Sequence, residues 1–188
     1  MATAAVRAEP DIFFDKLRRA TSRALLLNYA GVVAPLAVSR GPAMAYPRIP
    51  DLLDCIMSTC QTRVVLISNR PARELARLLG LGRHPEIWGT HGLEHLDADG
   101  RYERKYLNVR GKKGAVRAIL SELGPDAAVA YIGDDARDEE VFRALHGHCL
   151  TVLVQPVYRF TAAQMWLRSP SDVLQFLVDW LRACGGDM

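Results

Sequence analysis

Several things this chain lacks narrow what it can be. No stretch approaches the roughly 20 consecutive apolar residues that a membrane-crossing helix needs. No apolar run follows the opening Met1-Ala2-Thr3-Ala4-Ala5-Val6-Arg7, so no secretory leader is expected. The four cysteines, Cys55, Cys60, Cys149 and Cys184, contain no Cys-x-x-Cys pair; they read as reduced thiols of a cytoplasmic protein. A strong excess of one charge is missing: 24 basic against 21 acidic residues give a net +3, too mild to demand nucleic acid. Internal repeats, low-complexity tracts and an interdomain linker are missing too. What is left is 188 residues, 49% of them hydrophobic, enough for one domain with a real core or a domain with a small appendage.

Strand and helix signals alternate along the chain. Residues 11–23 have the spacing of a short amphipathic helix leading into a strand at 24–27. Pro50 suits the first turn of a helix reaching Cys60, with Leu52, Leu53, Ile56 and Met57 inward. A buried strand at 64–67 follows, then a helix from Pro71 to Gly80, where glycine can adopt the left-handed conformation. A short strand is expected at 86–88 and a hairpin at 93–107 around the turn dipeptide Asp99-Gly100. Helix 113–123, strand 127–132, helix 137–145, strand 150–154 and helix 170–183 complete the pattern. Val173, Phe176, Leu177, Trp180 and Leu181 form the inner face of the last helix, and Trp166 is expected to pack with them. Helices spaced between parallel-type strands imply an α/β fold with a doubly wound parallel sheet. The division expected is an N-terminal helical extension at 1–22 and a core at 23–183.

Leu25-Leu26-Leu27 ends abruptly at Asn28-Tyr29-Ala30-Gly31, the form of a buried parallel strand opening into a loop. Ligands of open α/β sheets sit at such strand ends. Three more polar segments fall at strand ends or helix starts: Ser68-Asn69-Arg70-Pro71, Lys112-Lys113-Gly114 and Gly133-Asp134-Asp135-Ala136-Arg137-Asp138-Glu139. In this order and context they resemble the motifs of the haloacid dehalogenase superfamily, and within it most those of trehalose-6-phosphate phosphatases. The likeness is strongest over 115–145 and extends to about 23–181.

The resemblance implies roles. An aspartate at the position of Asn28 would attack phosphorus, and one at the position of Ala30 would protonate the leaving alcohol and activate water. Ser68, with Asn69, and Lys113 would hold phosphoryl oxygens, while Asn28, Asp134, Asp135 and Asp138 would surround Mg2+, directly or through water. Chemistry of this kind needs a nucleophilic lone pair and positive charge beside the transferring group. Here the nucleophile and acid–base carboxylates are replaced, which weakens the metal shell and removes a contribution of about 10²–10⁴ in rate from positioned acid–base groups. The cap is reduced as well. About 20 residues separate Gly92 from Lys113, and only the hairpin 93–107 could serve as a vestigial cap.

Plainer readings stand beside these. The acidic run could cap the helix that follows it, Ser68 could be a cap serine, and Lys112 could take the place of Lys113. His91 and His95 lie on a turn and strand, and His146, His148 and Cys149 in a loop, so neither group is expected to bind metal. The basic segment 101–113 could receive an anion, or merely keep a hairpin soluble. Two functional expectations follow. One is a catalytically inactive pseudophosphatase that binds a sugar phosphate or other phosphorylated ligand, a protein partner or a second copy, with Tyr102, Tyr106 and Leu107 exposed on the hairpin for that contact. The other is a Mg2+-dependent sugar-phosphate phosphatase, weakly active or an inactivated form of an active enzyme.

Overall fold

The computed structural model describes residues 5–36, 43–105 and 111–186. The apolar runs become strands buried on both faces: β1 (Arg23–Asn28), β2 (Arg63–Ile67), β3 (Glu86–Gly89), β6 (Ala128–Gly133) and β7 (Leu150–Val154). With β4 (Glu94–Leu96), β5 (Tyr102–Arg104) and β8 (Met165–Leu167) they form one sheet in the order β5-β4-β3-β2-β1-β6-β7-β8. All neighbours pair in parallel except β3–β4 and β4–β5, which are antiparallel. β1 lies between β2 and β6, so the chain builds outward from it in both directions.

Side-chain alternation along the strands divides the core into two layers. Leu25 and Leu27 of β1 face α1 (Ala5–Arg19), α2 (Ile49–Thr59), α3 (Ala72–Leu79) and α6 (Pro170–Ala183). Ala24 and Leu26 face α4 (Gly111–Glu122) and α5 (Asp138–Leu145). α6 starts at Ser169, whose side chain accepts from the Asp172 backbone N–H, and buries Val173, Phe176, Leu177, Trp180 and Leu181. α3 ends at Gly80 in the left-handed conformation (φ 64°), as expected. Phe13 and Leu17 of α1 pack into the same core, and α1 begins before Pro10 rather than after it.

Three expectations need correction. β8 is unforeseen, because three residues between loops carry too little alternation to be read. Trp166 lies on that strand, half-buried, its Nε1 donating to the Gln155 carbonyl (2.8 Å) and Arg168 stacked 4.7 Å from the ring centre. The hairpin forms, with Gly100 at φ 85° closing a connection in which Asp97 N–H donates to Arg101 O (3.0 Å). Its strands, however, extend the main sheet beside β3, with Trp88 opposite His95. Tyr102 is half-buried against the core under Arg73 (4.4 Å to the ring centre), so it is not an exposed contact residue. Tyr106 and Leu107 lie outside the described residues.

Candidate functional site

The two-residue period that sends Leu26 toward α4 and α5 sends Asn28 the same way. Asn28 is buried, its Nδ2 donating to Asp134 Oδ1 (2.9 Å) and Asp138 Oδ2 (2.7 Å), while its Oδ1 lies 3.2 Å from the Tyr131 hydroxyl as an alternative acceptor. The opposite amide orientation would set oxygen against two carboxylate oxygens, so the network assigns the nitrogen inward. Next to it the chain turns tightly: Tyr29 O accepts from Val33 and Ala34 N–H (2.9 Å each), and Gly31 holds φ 79°. A side chain at Gly31 would put a Cβ 2.2 Å from Asp134 Oδ2, and one at Gly133 would put it 2.5 Å from Asp138 Oδ2. Only hydrogen at both positions lets the two aspartates pack this close.

Asp138, the first residue of α5, is fully buried. Its Oδ2 accepts from Asn28 Nδ2 and from the backbone N–H groups of Asp134 (2.9 Å) and Asp135 (3.0 Å). Its Oδ1 accepts from Tyr131 (2.7 Å) and Lys112 Nζ (2.8 Å). A carboxylate offers about four lone-pair sites, so all of this one's capacity is in use. Burial alone would raise its pKa, but the charge and hydrogen bond of Lys112, with the bonds from Tyr131 and the Asp135 backbone, hold it below the ordinary aspartate value. Burial pushes Asp134 up to about 6, the neighbouring Asp138 charge adding to the rise and the Asn28 amide opposing it. Burial and the Asp138 charge also keep Tyr131 a neutral phenol, its pKa raised well above 10.0.

Above this cluster opens a cleft of about 360 Å³ lined by Ala30, Ser68, Asn69, Lys112, Asp134 and Arg137, among others. Ser68 is buried at the end of β2, its Oγ accepting from the Arg70 backbone N–H (3.1 Å), which leaves the hydroxyl hydrogen to donate. Asn69 is exposed beside it. Ala30 brings no polar side chain to the cleft. The lysine here is Lys112, not Lys113; it also stands 3.4 Å from Asp135 Oδ2. Lys112 reaches Asp138 and Asp135 from the first described turn of α4.

The structure brings Asn28, Ala30, Ser68, Asn69, Asp134 and Asp135 together at the cleft, with Asp138 bonded to Asn28 beneath them; Lys112 lines the cleft and Lys113 does not. Sequence reasoning missed Tyr131, although a hydroxyl in an otherwise apolar buried strand was a signal. It also missed the loop 155–164, where Gln155 Nε2 donates to the Asp134 carbonyl and Arg159 donates to the Asp135 carbonyl (3.1 Å) and pairs with Glu139. Glu139 further accepts from Thr161 Oγ1 (2.8 Å) and Ala162 N–H (2.9 Å), so it anchors the loop. Val157, Tyr158 and Phe160 stand exposed on that loop. His95 is held between Glu86 and Glu103 (3.0 Å each), and His146 and His148 are exposed.

Mg2+ calls for a near-octahedral set of oxygens at about 2.0–2.1 Å. Among the described residues no group of three His, Cys, Asp or Glu is placed to hold a metal ion. Asn28 presents N–H groups, Asp138 has no free lone pair, and Lys112 supplies positive charge beside it. The residues present do not fit the ion, contrary to the expected ligand set Asn28, Asp134, Asp135 and Asp138.

No protein-family model matches the chain. Over 85 residues it is 38% identical to a probable trehalose-phosphate phosphatase 3 of Oryza sativa, covering 39% of this chain and 23% of that protein. Over 98 residues it is 36% identical to trehalose-phosphate phosphatase B of Arabidopsis thaliana, covering 45% and 26%. The match therefore spans about a quarter of these relatives' length. Among solved structures, Aspergillus fumigatus trehalose-6-phosphate phosphatase superposes with a TM-score of 0.73 at 16% identity, over 95% of this chain and 98% of that one. The 3-deoxy-D-manno-octulosonate 8-phosphate phosphatase of Moraxella catarrhalis, solved with magnesium and phosphate ions, gives 0.62 at 14% identity, over 92% of each. At these identities the structural likeness is one of fold.

Proposed function

We propose that this chain, which has the haloacid-dehalogenase fold and a trehalose-phosphatase-like sequence, is a pseudophosphatase that binds a phosphorylated ligand in the cleft without hydrolysing it. The carrying observation is the Asn28 amide. Its nitrogen donates to Asp134 and Asp138, so the atom facing the cluster has no lone pair to offer phosphorus. Ala30 offers no proton to a leaving alcohol, where a positioned acid–base group contributes about 10²–10⁴ in rate. The means of holding an anion remain. The Ser68 hydroxyl, the Asn69 amide and the Lys112 ammonium line one cleft, and charge-assisted donors are the strong partners of phosphate oxygens.

The relatives' names point to a sugar phosphate as the ligand class, with trehalose-6-phosphate the first to try. Leu36, which lines the cleft, is exposed, which suits a protein surface closing over the mouth. The four free cysteines support a reducing, cytoplasmic setting. Phosphate release from trehalose-6-phosphate and p-nitrophenyl phosphate, with and without Mg2+, tests the reading alongside calorimetric binding of the same sugar phosphate. We expect no turnover above background and a binding heat lost in Lys112→Ala. Mg2+-dependent turnover abolished by Asn28→Ala would instead establish an active phosphatase.

A further inference from the structure

We propose that the Asn28 amide and the Lys112 ammonium stand in place of a divalent cation, so that the acidic cluster beneath the cleft is assembled and charge-balanced without Mg2+. This stands apart from the ligand-binding reading above, because it concerns the free protein.

Two carboxylate oxygens from different elements, Asp134 Oδ1 after β6 and Asp138 Oδ2 on α5, converge on one point. At that point sits Asn28 Nδ2, at 2.9 and 2.7 Å. Its two hydrogens satisfy one oxygen each, so the amide does what a shared cation would do in drawing like charges together. The other oxygen of Asp138 is matched by Lys112 Nζ at 2.8 Å, and the same ammonium reaches Asp135 Oδ2 at 3.4 Å. Arg137 Nε adds a second positive group near Asp135 Oδ2 (3.5 Å). Positive charge and polar hydrogens thus meet Asp134, Asp135 and Asp138 from the chain itself.

Admitting an ion would require the amide to rotate its oxygen inward. That would break both bonds from Nδ2 and turn the NH2 group toward the Tyr131 hydroxyl, for which Asn28 Oδ1 (3.2 Å) is now the second acceptor after Asp138 Oδ1 (2.7 Å). Tyr131 could no longer use that acceptor. Asp138 would also have to release one of its five donors. Each lost bond in a buried cluster carries a desolvation cost, so the empty-handed amide is the favoured occupant. A carboxylate at position 28 would reverse the balance, placing a third anion against Asp134 and Asp138 and calling for a cation.

The test uses the full chain freed of metal by a chelator and then titrated with the metal alone. The wild-type melting temperature should not move in about 10 mM Mg2+, whereas Asn28→Asp should gain roughly 3–5 °C if the added Mg2+ reaches ten times its dissociation constant. A wild-type rise abolished by Asp134→Asn would overturn the proposal. A folded Asn28→Asp that gains nothing would overturn it equally, since the amide would then not be what keeps the ion out. Mn2+ electron paramagnetic resonance needs no folded variant at position 28. With wild-type protein in excess, the free-ion signal should keep its full amplitude; a signal quenched by wild type and restored with Asp134→Asn counts against the proposal.

Discussion

Asp138→Asn should cost this fold about 2–3 kcal/mol, below the roughly 3–5 kcal/mol for breaking a fully buried ion pair because Lys112 keeps part of its partnership. The substitution is nearly isosteric but exchanges one acceptor oxygen for an NH2 group. With that group at the Oδ2 position it would confront Asn28 Nδ2 and the backbone N–H groups of Asp134 and Asp135. At the Oδ1 position it would confront Lys112 Nζ and displace the Tyr131 hydroxyl, which can turn to Asn28 Oδ1. The second arrangement is the cheaper one, and its cost is the Lys112 pairing, softened by Asp135 Oδ2 at 3.4 Å. For a chain of this length the loss corresponds to a melting temperature lower by roughly 5–10 °C. Urea unfolding followed by tryptophan fluorescence measures it, with the buried Trp180 as reporter. Asp135→Asn is the control: Asp135 is part-exposed, and its Oδ1 still accepts from the Arg137 and Asp138 N–H groups, so the change should stay under about 1 kcal/mol. A metal-site cluster strained by like charges would respond in the opposite sense. A neutral or stabilising Asp138→Asn would therefore refute the reading of the cluster as a satisfied network.

Asn28→Asp combined with Ala30→Asp should restore Mg2+-dependent hydrolysis of p-nitrophenyl phosphate, because Ser68 and Lys112 already line the cleft; a folded double variant with no rate would show that more than two carboxylates had been lost. A pH effect is expected from β4, where His95 packs on Trp88 (4.6 Å between ring centres). His95 sits between Glu86 and Glu103; its burial opposes protonation, but the bonds to both carboxylates outweigh that and raise its pKa above 6.5. Its stabilisation is therefore complete below that value and is lost as pH rises through the elevated folded pKa. Glu86, resisted by burial but held by bonds from His95, Arg63 and Trp88, is lowered to about 2, so its contribution persists above pH 4.5 and fails only in strong acid. The urea midpoint of wild type should fall as the pH is raised above 6.5, and the fall should be smaller in His95→Gln; equal slopes would remove His95 as the cause.

Much of this was legible because buried parallel strands announce themselves. Leu25-Leu26-Leu27 and Val64-Val65-Leu66-Ile67 could hardly be anything else, and their polar ends, Asn28 and Ser68, mark the cleft. Helix ends were equally readable where a residue has a backbone role, as at Gly80. What could not be read was the long-range arrangement. Nothing local tells which side of the hairpin meets β3, so the hairpin looked like a cover and turned out to be sheet. Lys112 and Lys113 differ by one position, a rotation of about 100° on a helix, and only the long-range pairing of Lys112 with Asp138 decides between them. Tyr131 looked like any core aromatic until Asn28 and Asp138 were placed beside its hydroxyl.

Both flanks of the sheet end in strands of three residues, β5 and β8, and this bears on how the molecule behaves in a crowded solution. A long, flat, apolar border would invite other chains to pair with it. β5 instead presents Glu103 and Arg104 to solvent, with Lys105 just beyond it bonded to the Leu93 carbonyl (2.9 Å). β8 is followed at once by Arg168, stacked on Trp166, and by Pro170 opening α6. Charge, brevity and proline together blunt both borders, so backbone-to-backbone polymerisation is disfavoured at high concentration. Exposed apolar side chains left for specific contact include Ile12 of α1, Leu36 and Met44 of the loop after β1, and Val157, Tyr158 and Phe160 of the loop after β7.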